Sequence, residues 1–451
     1  MQSETRGASS GNPAKLCPIN GNLADTGRVS SLTELMKTKL AFLSALALAA
    51  IISGCATTSH REPPREWIDR ATGHRVVRLS DEPNSKSLYF HQNAYTVDGQ
   101  HLVFTATGKI CMVNLQTRAL ETVVPAPARP VMVGKKIGLL YYTKSRALWS
   151  LDLNSRAHRK IFDLPPHWSI STINCDETLA AGTITETDEP DRDPDKAATH
   201  ADEIAFMKGK GAMMQARMAK KSPMELFFLD LKTGVVTRRC NRVTDWLGHL
   251  QFSPTDPALL MFCHEGIWHD VTRTWLIRAD GTGLTNLHDR TMQMEIAGHE
   301  FFSADGQTAW YDLQTPRGQV FWLAGYNVQT GARTWFNLQR DEWSVHFNCS
   351  PDGKLFAGDG GGEGNVAHAK DGKWIYLFRH ELTTNRMEIP SDKLITTGVF
   401  RSERLVNMKT HDYLLEPNVT FTPDGKWIVF RSDMHGQPHV YAVEIERAKK
   451  D

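Results

Sequence analysis

Paired cysteines, net charge and long apolar runs are all scarce in this chain of 451 residues. The seven cysteines, Cys17, Cys55, Cys111, Cys175, Cys240, Cys263 and Cys349, never form a CxxC pair. That spacing excludes a zinc motif, and with Cys17 and Cys55 set aside the odd number left excludes a disulfide framework. Isolated cysteines of this kind read as small buried strand residues. Lys and Arg number 52 against 51 Asp and Glu, a formal net charge of +1. The basic footprint of a nucleic-acid binder is therefore missing. The most apolar stretch, Leu40 to Ile52, is too short to span a bilayer comfortably. What is present is 41% hydrophobic residues, enough for a large packed core.

The short apolar stretch has another use. Lys37 and Lys39 precede it, and Ile52-Ser53-Gly54-Cys55 closes it in the manner of a bacterial lipobox. Residues 36–55 read as a lipoprotein signal peptide, with Cys55 the lipidated first residue of the mature chain. Residues 1–35 are then a non-native extension ahead of Met36, and residues 56–66 a tether. The expected location is the cell envelope, lipid-anchored in the periplasm or at the outer membrane, with Cys55 the sole tie to a membrane.

Self-similarity organises the remainder. "YTVDGQHLVF" from Tyr95, "FSPTDPALLMF" from Phe252, "FSADGQTAWY" from Phe302, "CSPDGKLFAG" from Cys349 and "FTPDGKWIVF" from Phe421 repeat one pattern. "VGKKIGLLYY" from Val133 and "INCDETLAAG" from Ile173 are weaker copies. Asp-Gly supplies the positive φ that a tight turn needs, and an apolar strand follows. A second strand–turn–strand follows most copies, as in "VNLQTRALETV", "LDLKTGVVTRR" and "NVQTGARTWF". The alternation predicts four-stranded antiparallel units repeated about seven times. The fold class is all-β, a seven-bladed β-propeller over residues 67–451, and radial closure removes the edge-strand problem. The final "HVYAVEIE" is expected to close the ring on the first blade. One segment departs: residues 185–222 are acidic first, then Ala-, Met- and Lys-rich, and the second half predicts a helix. A loop of this length is either a lid over the propeller face or a mobile insertion.

Propellers bind ligands at the mouth of the central channel, so polar residues leading into the repeat strands are the candidates. His249, His299 and His346 each stand three residues before a repeat core, and Gln92 and Asn418 share that offset. His91 is one residue away from it. Equivalent positions in successive blades converge in space, which favours a shared site over isolated structural histidines. The repeats alone leave open whether that site takes a metal, a sugar or nothing. "FCHEGIWHDVTRTW" from Phe262 adds His264, Glu265, Trp268 and Arg273 on one hairpin.

At these residues the chain resembles the oligogalacturonate lyases. "WLGH" at Trp246–His249, "FCHEG" at Phe262–Gly266, "RTWLIRADGT" at Arg273–Thr282, "HEFF" at His299–Phe302, the His346 loop and the C-terminal "FTPDGKWIVFRSDMHGQPHVYAV" carry the likeness, which runs from about Trp67 onward. The resemblance implies β-elimination of short uronate oligosaccharides, most simply oligogalacturonides from pectin. It implies His299 as the base and Arg273 as its assisting cation. His91, Gln92, His249, His264 and Trp268 are expected to contact substrate. It also implies a divalent, manganese-type metal held by three histidines and a glutamine. Of that set His346 is matched. A His-x-His is replaced by Glu416-Pro417-Asn418, and the glutamine by Tyr413. His346, Glu416 and Asn418 are the expected ligands, and their mixed donor set suits manganese or calcium. Either the metal differs, or Arg273 and other side chains neutralise the substrate carboxylate, or the substrate is another uronate glycan. Two other functions remain open: a non-catalytic TolB-like propeller that binds an envelope partner, and a glycoside hydrolase built on two of Glu265, Glu300 and Glu416.

Overall fold

The computed structural model describes residues 62–191, 193, 196, 199–383 and 394–449, which fall in the compact unit Pro63–Asp451 apart from Glu62. The signal peptide, Cys55, the extension before Met36 and the start of the tether lie outside the described residues. The first strand, Glu66–Ile68, begins at the expected end of the tether.

The chain is mostly β. Four sheets are four-stranded and antiparallel: Ser85–Val124, Arg129–Asp163, Leu179–Val243 with Trp168–Ile173, and Trp246–Asn286. An eight-stranded sheet follows. It consists of two four-stranded antiparallel halves joined where Arg333–Leu338 pairs in parallel with the long strand Ile395–Asn407. The last sheet combines both ends of the chain, because His439–Arg447 pairs with His74–Arg78. The closure expected of "HVYAVEIE" is present, with a partner that lies upstream of the first repeat. Each sheet contacts the next along the chain, and the last contacts the first through Ser85–Ser87. The arrangement is propeller-like, with the first strand of each sheet nearest its neighbours.

The repeats fold alike because their turns share one local chemistry. In the four Asp-Gly copies, a Ser or Thr hydroxyl donates to the Asp carboxylate two residues on: 2.6 Å for Thr96–Asp98, 2.5 Å for Ser303–Asp305, 2.6 Å for Ser350–Asp352 and 2.6 Å for Thr422–Asp424. The same Asp oxygen accepts a backbone N–H two residues further on, and the Gly between has φ of 67–70°. The Asx-type turn thereby fixes hairpin register from within six residues of sequence. Apolar residues of the strands that follow, such as Val103, Leu260, Ala357 and Val429, are fully buried between sheets. Cys111, Cys263 and Cys349 are buried in strands and Cys240 half-buried in one, as expected of small strand residues, whereas Cys175 is half-buried in a turn; all five are unpaired. The insertion folds as a helix, His200–Lys220, with a Thr199/Asp202 capping box.

Candidate active site

Two β-bulges aim histidines into one place. The first strand Trp246–Phe252 slips in register between Gly248 and Gln251, and Ile296–Phe302 slips at the equivalent Gly298 to Phe301. His249 and His299 lie in these bulges at φ 50° and 48°, and Asn418, at the same offset before Thr420–Phe421, has φ 57°. Left-handed backbone at a residue with a side chain costs about 1–3 kcal/mol and persists where function constrains it. Gly298 leaves little room beside it: a Cβ there would stand 3.1 Å from Asp312 Oδ1 and press on the carboxylate that holds His299.

His299 is 5% exposed. Its Nδ1–H donates to Asp312 Oδ1 at 2.8 Å, so Nε2 keeps its lone pair. Trp268 stands edge-on to the ring at 5.1 Å, and the His346 ring lies 4.8 Å away. Burial, then the neighbouring His346 and Arg273, hold the imidazole well below its ordinary pKa. Asp312 moves the other way: burial pushes its carboxyl up to about 7 against the pull of Arg273 and His346. Its Oδ2 is buried without a hydrogen-bond partner among the described residues. The pair is a neutral base held in one tautomer by a carboxylate poised near neutrality.

Arg273, 4% exposed, is held by two carboxylates. Its Nε donates to Glu300 at 2.8 Å, and its terminal nitrogens to the two oxygens of Glu265 at 3.1 and 3.4 Å. Its guanidinium carbon lies 5.6 Å from the Trp268 ring. The fork expected to grip a substrate carboxylate is therefore committed to the protein's own acids. Its action on His299 is electrostatic. Glu265 also receives His249 Nε2 at 2.5 Å. His249, Cys263 and Glu265 bring donor atoms within 4.8 Å of one another, yet they do not make a metal centre. Arg273 already neutralises Glu265, and burial raises the Cys263 thiol well above its ordinary pKa, so it stays protonated.

The expected metal ligands offer a better donor set. His346 is fully buried, and its Nδ1–H donates to Asp359 Oδ2 at 2.8 Å, which points Nε2 outward as a ligand. Glu416 Oε2 lies 3.8 Å from that Nε2. Asn418 is fixed from both ends: its N–H donates to Asp359 at 3.1 Å and its Nδ2 to the Glu416 carbonyl at 2.9 Å. Asn418 Oδ1 is left as a buried acceptor without a partner among the described residues. Burial opposes the ionisation of Glu416, but His346, Lys210, His299 and Arg431 bring its pKa down to about 2. One imidazole, one ionised carboxylate and one orphaned amide oxygen are donors that would suit a hard divalent cation, and His346 Nε2 meets the Tyr89 hydroxyl at 3.2 Å. Tyr413 takes no part; its hydroxyl donates to the Asp359 carbonyl at 2.8 Å.

The other expected contacts divide. His91 and His249 lie 6.2 Å apart, each packed on the Tyr89 ring at 5.1 and 5.4 Å, and His91 is pushed down to about 3 by burial, His249 and His346. Gln92 accepts from Tyr89 N–H at 3.1 Å and lines a cavity beside the site. Trp268 is in the site, its loop pinned by Arg290, which donates to the carbonyls of Trp268, His269 and Val271. His264 is not brought in: it takes the alternate position to Glu265 on its strand, stacks on Trp275 at 5.3 Å and meets Asp245 at 3.1 Å. The insertion helix lies along the same side. Glu203, Lys210 and Arg217 recur every seven residues. Glu203 meets Arg431, Lys210 Nζ stands 3.9 Å from Glu416, and Arg217 lies 3.7 Å over the Trp246 ring.

Asp312 and Asp359 are site residues that the sequence reading misses. Asp312 carried a signal, an acid inside the apolar run "AWYDLQ". Asp359 before a glycine run reads as an ordinary turn residue.

The site thus sets an oriented, buried histidine beside imidazole, carboxylate and amide donors in a propeller-like ring of sheets, the arrangement of an acid–base enzyme. The sequence model of the oligogalacturonate lyase family matches residues 64–448, and the chain belongs to that family. An oligogalacturonate lyase of Dickeya dadantii (strain 3937) is 26% identical over 402 residues, 84% of this chain and 95% of the relative. An oligogalacturonide lyase of Pectobacterium atrosepticum is 26% identical over 401 residues, with 84% and 95% covered. A solved oligogalacturonate lyase in complex with manganese matches at TM-score 0.68 and 23% identity, covering 84% of this chain and 96% of that one. An oligogalacturonate lyase of Vibrio parahaemolyticus matches at 0.64 and 20%, covering 85% and 97%. At these identities the two structures establish the fold.

Proposed function

We propose that this protein cleaves short oligogalacturonides by β-elimination, with His299 as the base. The observation that carries the reading is the His299–Asp312 pair: a buried imidazole with Nδ1–H committed at 2.8 Å and Nε2 unprotonated at neutral pH. Family membership gives the reaction class, a lyase acting on pectin oligosaccharides. His299 Nε2 takes the C5 proton of a uronate. The electron pair of the C5–H bond forms the C4=C5 double bond, and the C4–O glycosidic bond breaks. The departing oxygen is protonated from solvent, giving a new hydroxyl on one fragment and a 4,5-unsaturated uronate on the other. The weakly acidic C5–H needs its neighbouring carboxylate neutralised. A divalent cation held by His346, Glu416 and Asn418 would supply that neutralisation as a Lewis acid; the relative solved with manganese supports this choice. Lys210 adds a positive charge to the same corner. Trp268 offers its ring to the C–H face of a pyranose, and Arg273 holds His299 deprotonated.

The convergence of His299, His346, Trp268 and Arg273 favours this over a non-catalytic envelope-binding propeller. A hydrolase lacks support, because Glu265 and Glu300 are both tied to Arg273. We further propose that the two halves of the eight-stranded sheet are separate blades, giving seven. The lipobox supports export and anchoring at Cys55. The test is ultraviolet absorbance of the new double bond over a panel of uronate oligosaccharides with and without manganese, calcium or magnesium. Turnover of galacturonate oligomers that His299→Ala abolishes is expected. Turnover only of another uronate glycan would change the substrate, and turnover of none would overturn the reading.

A further inference from the structure

A cavity of about 360 Å³ adjoins the site and shares Tyr89 and Asn418 with it. That volume is within the range of about 300–1,000 Å³ common for small-ligand pockets. Its charged lining is lopsided: Lys86, Arg129, Lys196 and Arg431 against one acid, Glu203. Glu203 belongs to the insertion helix, and it is gripped from two sides. Lys86 Nζ lies 2.9 Å from one carboxylate oxygen and Arg431 NH1 3.1 Å from the other. Arg431 is itself 8% exposed and is steered by a 2.6 Å hydrogen bond from its Nε to the Glu416 carbonyl, so the clamp is built from the same backbone that presents Glu416. The carboxylate that fills it is on a weakly held element. Met214 is the sole buried residue of the helix, and Gly209 and Gly211, with nothing near their Cα, lower its helix propensity.

We propose that Lys86 and Arg431 form a second carboxylate subsite, for a uronate adjoining the one that is cleaved, and that Glu203 occupies it until substrate displaces the helix from it. The inference rests on the uronate reading above. A charged clamp with two cations on one carboxylate is the geometry a polyuronate needs at successive sugars, and Glu203 stands in for the sugar's carboxylate. Glu203 then lowers affinity for oligouronates, whose second carboxylate must displace it, and leaves a monomer that does not reach the clamp unaffected.

The test uses the full protein carrying His299→Ala, which binds trigalacturonate without cleaving it, and reads Kd by calorimetry. Lys86→Met is expected to weaken trigalacturonate about ten-fold or more, the order of one charge-assisted hydrogen bond, and to leave galacturonate monomer or its methyl ester little changed. Glu203→Gln, on the exposed helix, is expected to tighten trigalacturonate about three-fold or more by removing the internal competitor. A gain in affinity cannot arise from misfolding, so this arm stands even if Lys86→Met is unstable. Unchanged trigalacturonate affinity in Glu203→Gln, or equal losses for monomer and trimer in Lys86→Met, overturns the subsite. Failure of the protein with His299 intact to cleave any oligogalacturonide is a separate result that overturns the function on which the subsite rests.

Discussion

Asp312→Asn tests the base assignment without touching the base. With Asp312 ionised, His299 Nδ1–H is held at 2.8 Å and Nε2 is free to accept a proton. With Asp312 protonated, its O–H donates to Nδ1, the ring proton moves to Nε2, and the base is lost. Because the carboxyl is pushed up to about 7 by burial, kcat/KM is expected to rise as pH rises through about 7. Asparagine can present N–H to His299, which enforces the inactive tautomer at every pH. Loss of a positioned acid–base group costs about 10²–10⁴-fold, so the variant is expected to fall in that range with the step near neutrality gone. Stability moves the other way. A carboxyl raised from 3.8 to about 7 stabilises the folded chain fully below the unfolded pKa, and that contribution is lost as pH rises through about 7. The shift of about three units corresponds to about 4 kcal/mol of ionisation cost that neutral asparagine avoids above pH 7. Asp312→Asn is therefore expected to be at least as stable as the unaltered protein at pH 8 while nearly inactive, read by double-bond absorbance and thermal unfolding on the same samples. Near-full turnover in the variant, or a flat wild-type profile between pH 6 and 8, would refute the reasoning.

His299→Ala is expected to lose most turnover with little change in melting temperature; retained turnover would move the search for the base to His91 and His249. Arg273→Met strands two buried carboxylates and is expected to destabilise the protein by about 3–5 kcal/mol in denaturant titration, and Arg273→Lys to remain impaired because an ammonium cannot replace a fork bonded to both Glu265 and Glu300. Glu177, 5% exposed, accepts the backbone N–H groups of Lys136, Ile137, Gly138 and Leu139 and the Tyr141 hydroxyl, none of them a residue of the site. Glu177→Ala is expected to cost about 3 kcal/mol or more in stability while the remaining folded fraction keeps its turnover, a contrast with Arg273 that activity per folded molecule reads directly.

The repeats were legible because their turns are local. Ser or Thr, Asp and Gly close each hairpin within a few residues, so the pattern states the structure. The three-residue offset was legible for the same reason, and it located the bulged His299 and His249 and the left-handed Asn418. What the offset could not carry is direction across strands. His264 is in the same hairpin as Glu265, but one position along a strand turns it to the other face. Asp312 acts from a second strand whose apolar neighbours mark only burial, and Asp359 from the end of one, before a glycine run; their partners are fixed by register, not by spacing. The docking of the helix on Glu416, Arg431 and Trp246, like the parallel pairing of Arg333–Leu338 with Ile395–Asn407, joins segments distant in sequence and leaves no local mark.

The exchange of a His-x-His for Glu416-Pro417-Asn418 alters the charge at the point where a uronate must bind. Two imidazoles are neutral without a cation; Glu416, with its pKa near 2, is not. Two like charges about 4 Å apart repel by about 4 kcal/mol at the effective dielectric of a partly buried site, so a substrate carboxylate approaching Glu416 alone is turned away by nearly a thousand-fold. The same charge draws a divalent cation more strongly than imidazole does and leaves it less positive once bound. Lys210, 3.9 Å from Glu416 on the insertion helix, then falls into place as the compensating charge. It offsets the carboxylate that the imidazoles would not have brought, and it does so from the one segment that departs from the repeat. Lys210→Met is accordingly expected to raise the cation concentration-independent KM while Lys210→Arg restores it, measured at saturating manganese. Equal KM in all three proteins would separate the helix from the charge balance of the site and leave Glu416 to be neutralised by the cation alone.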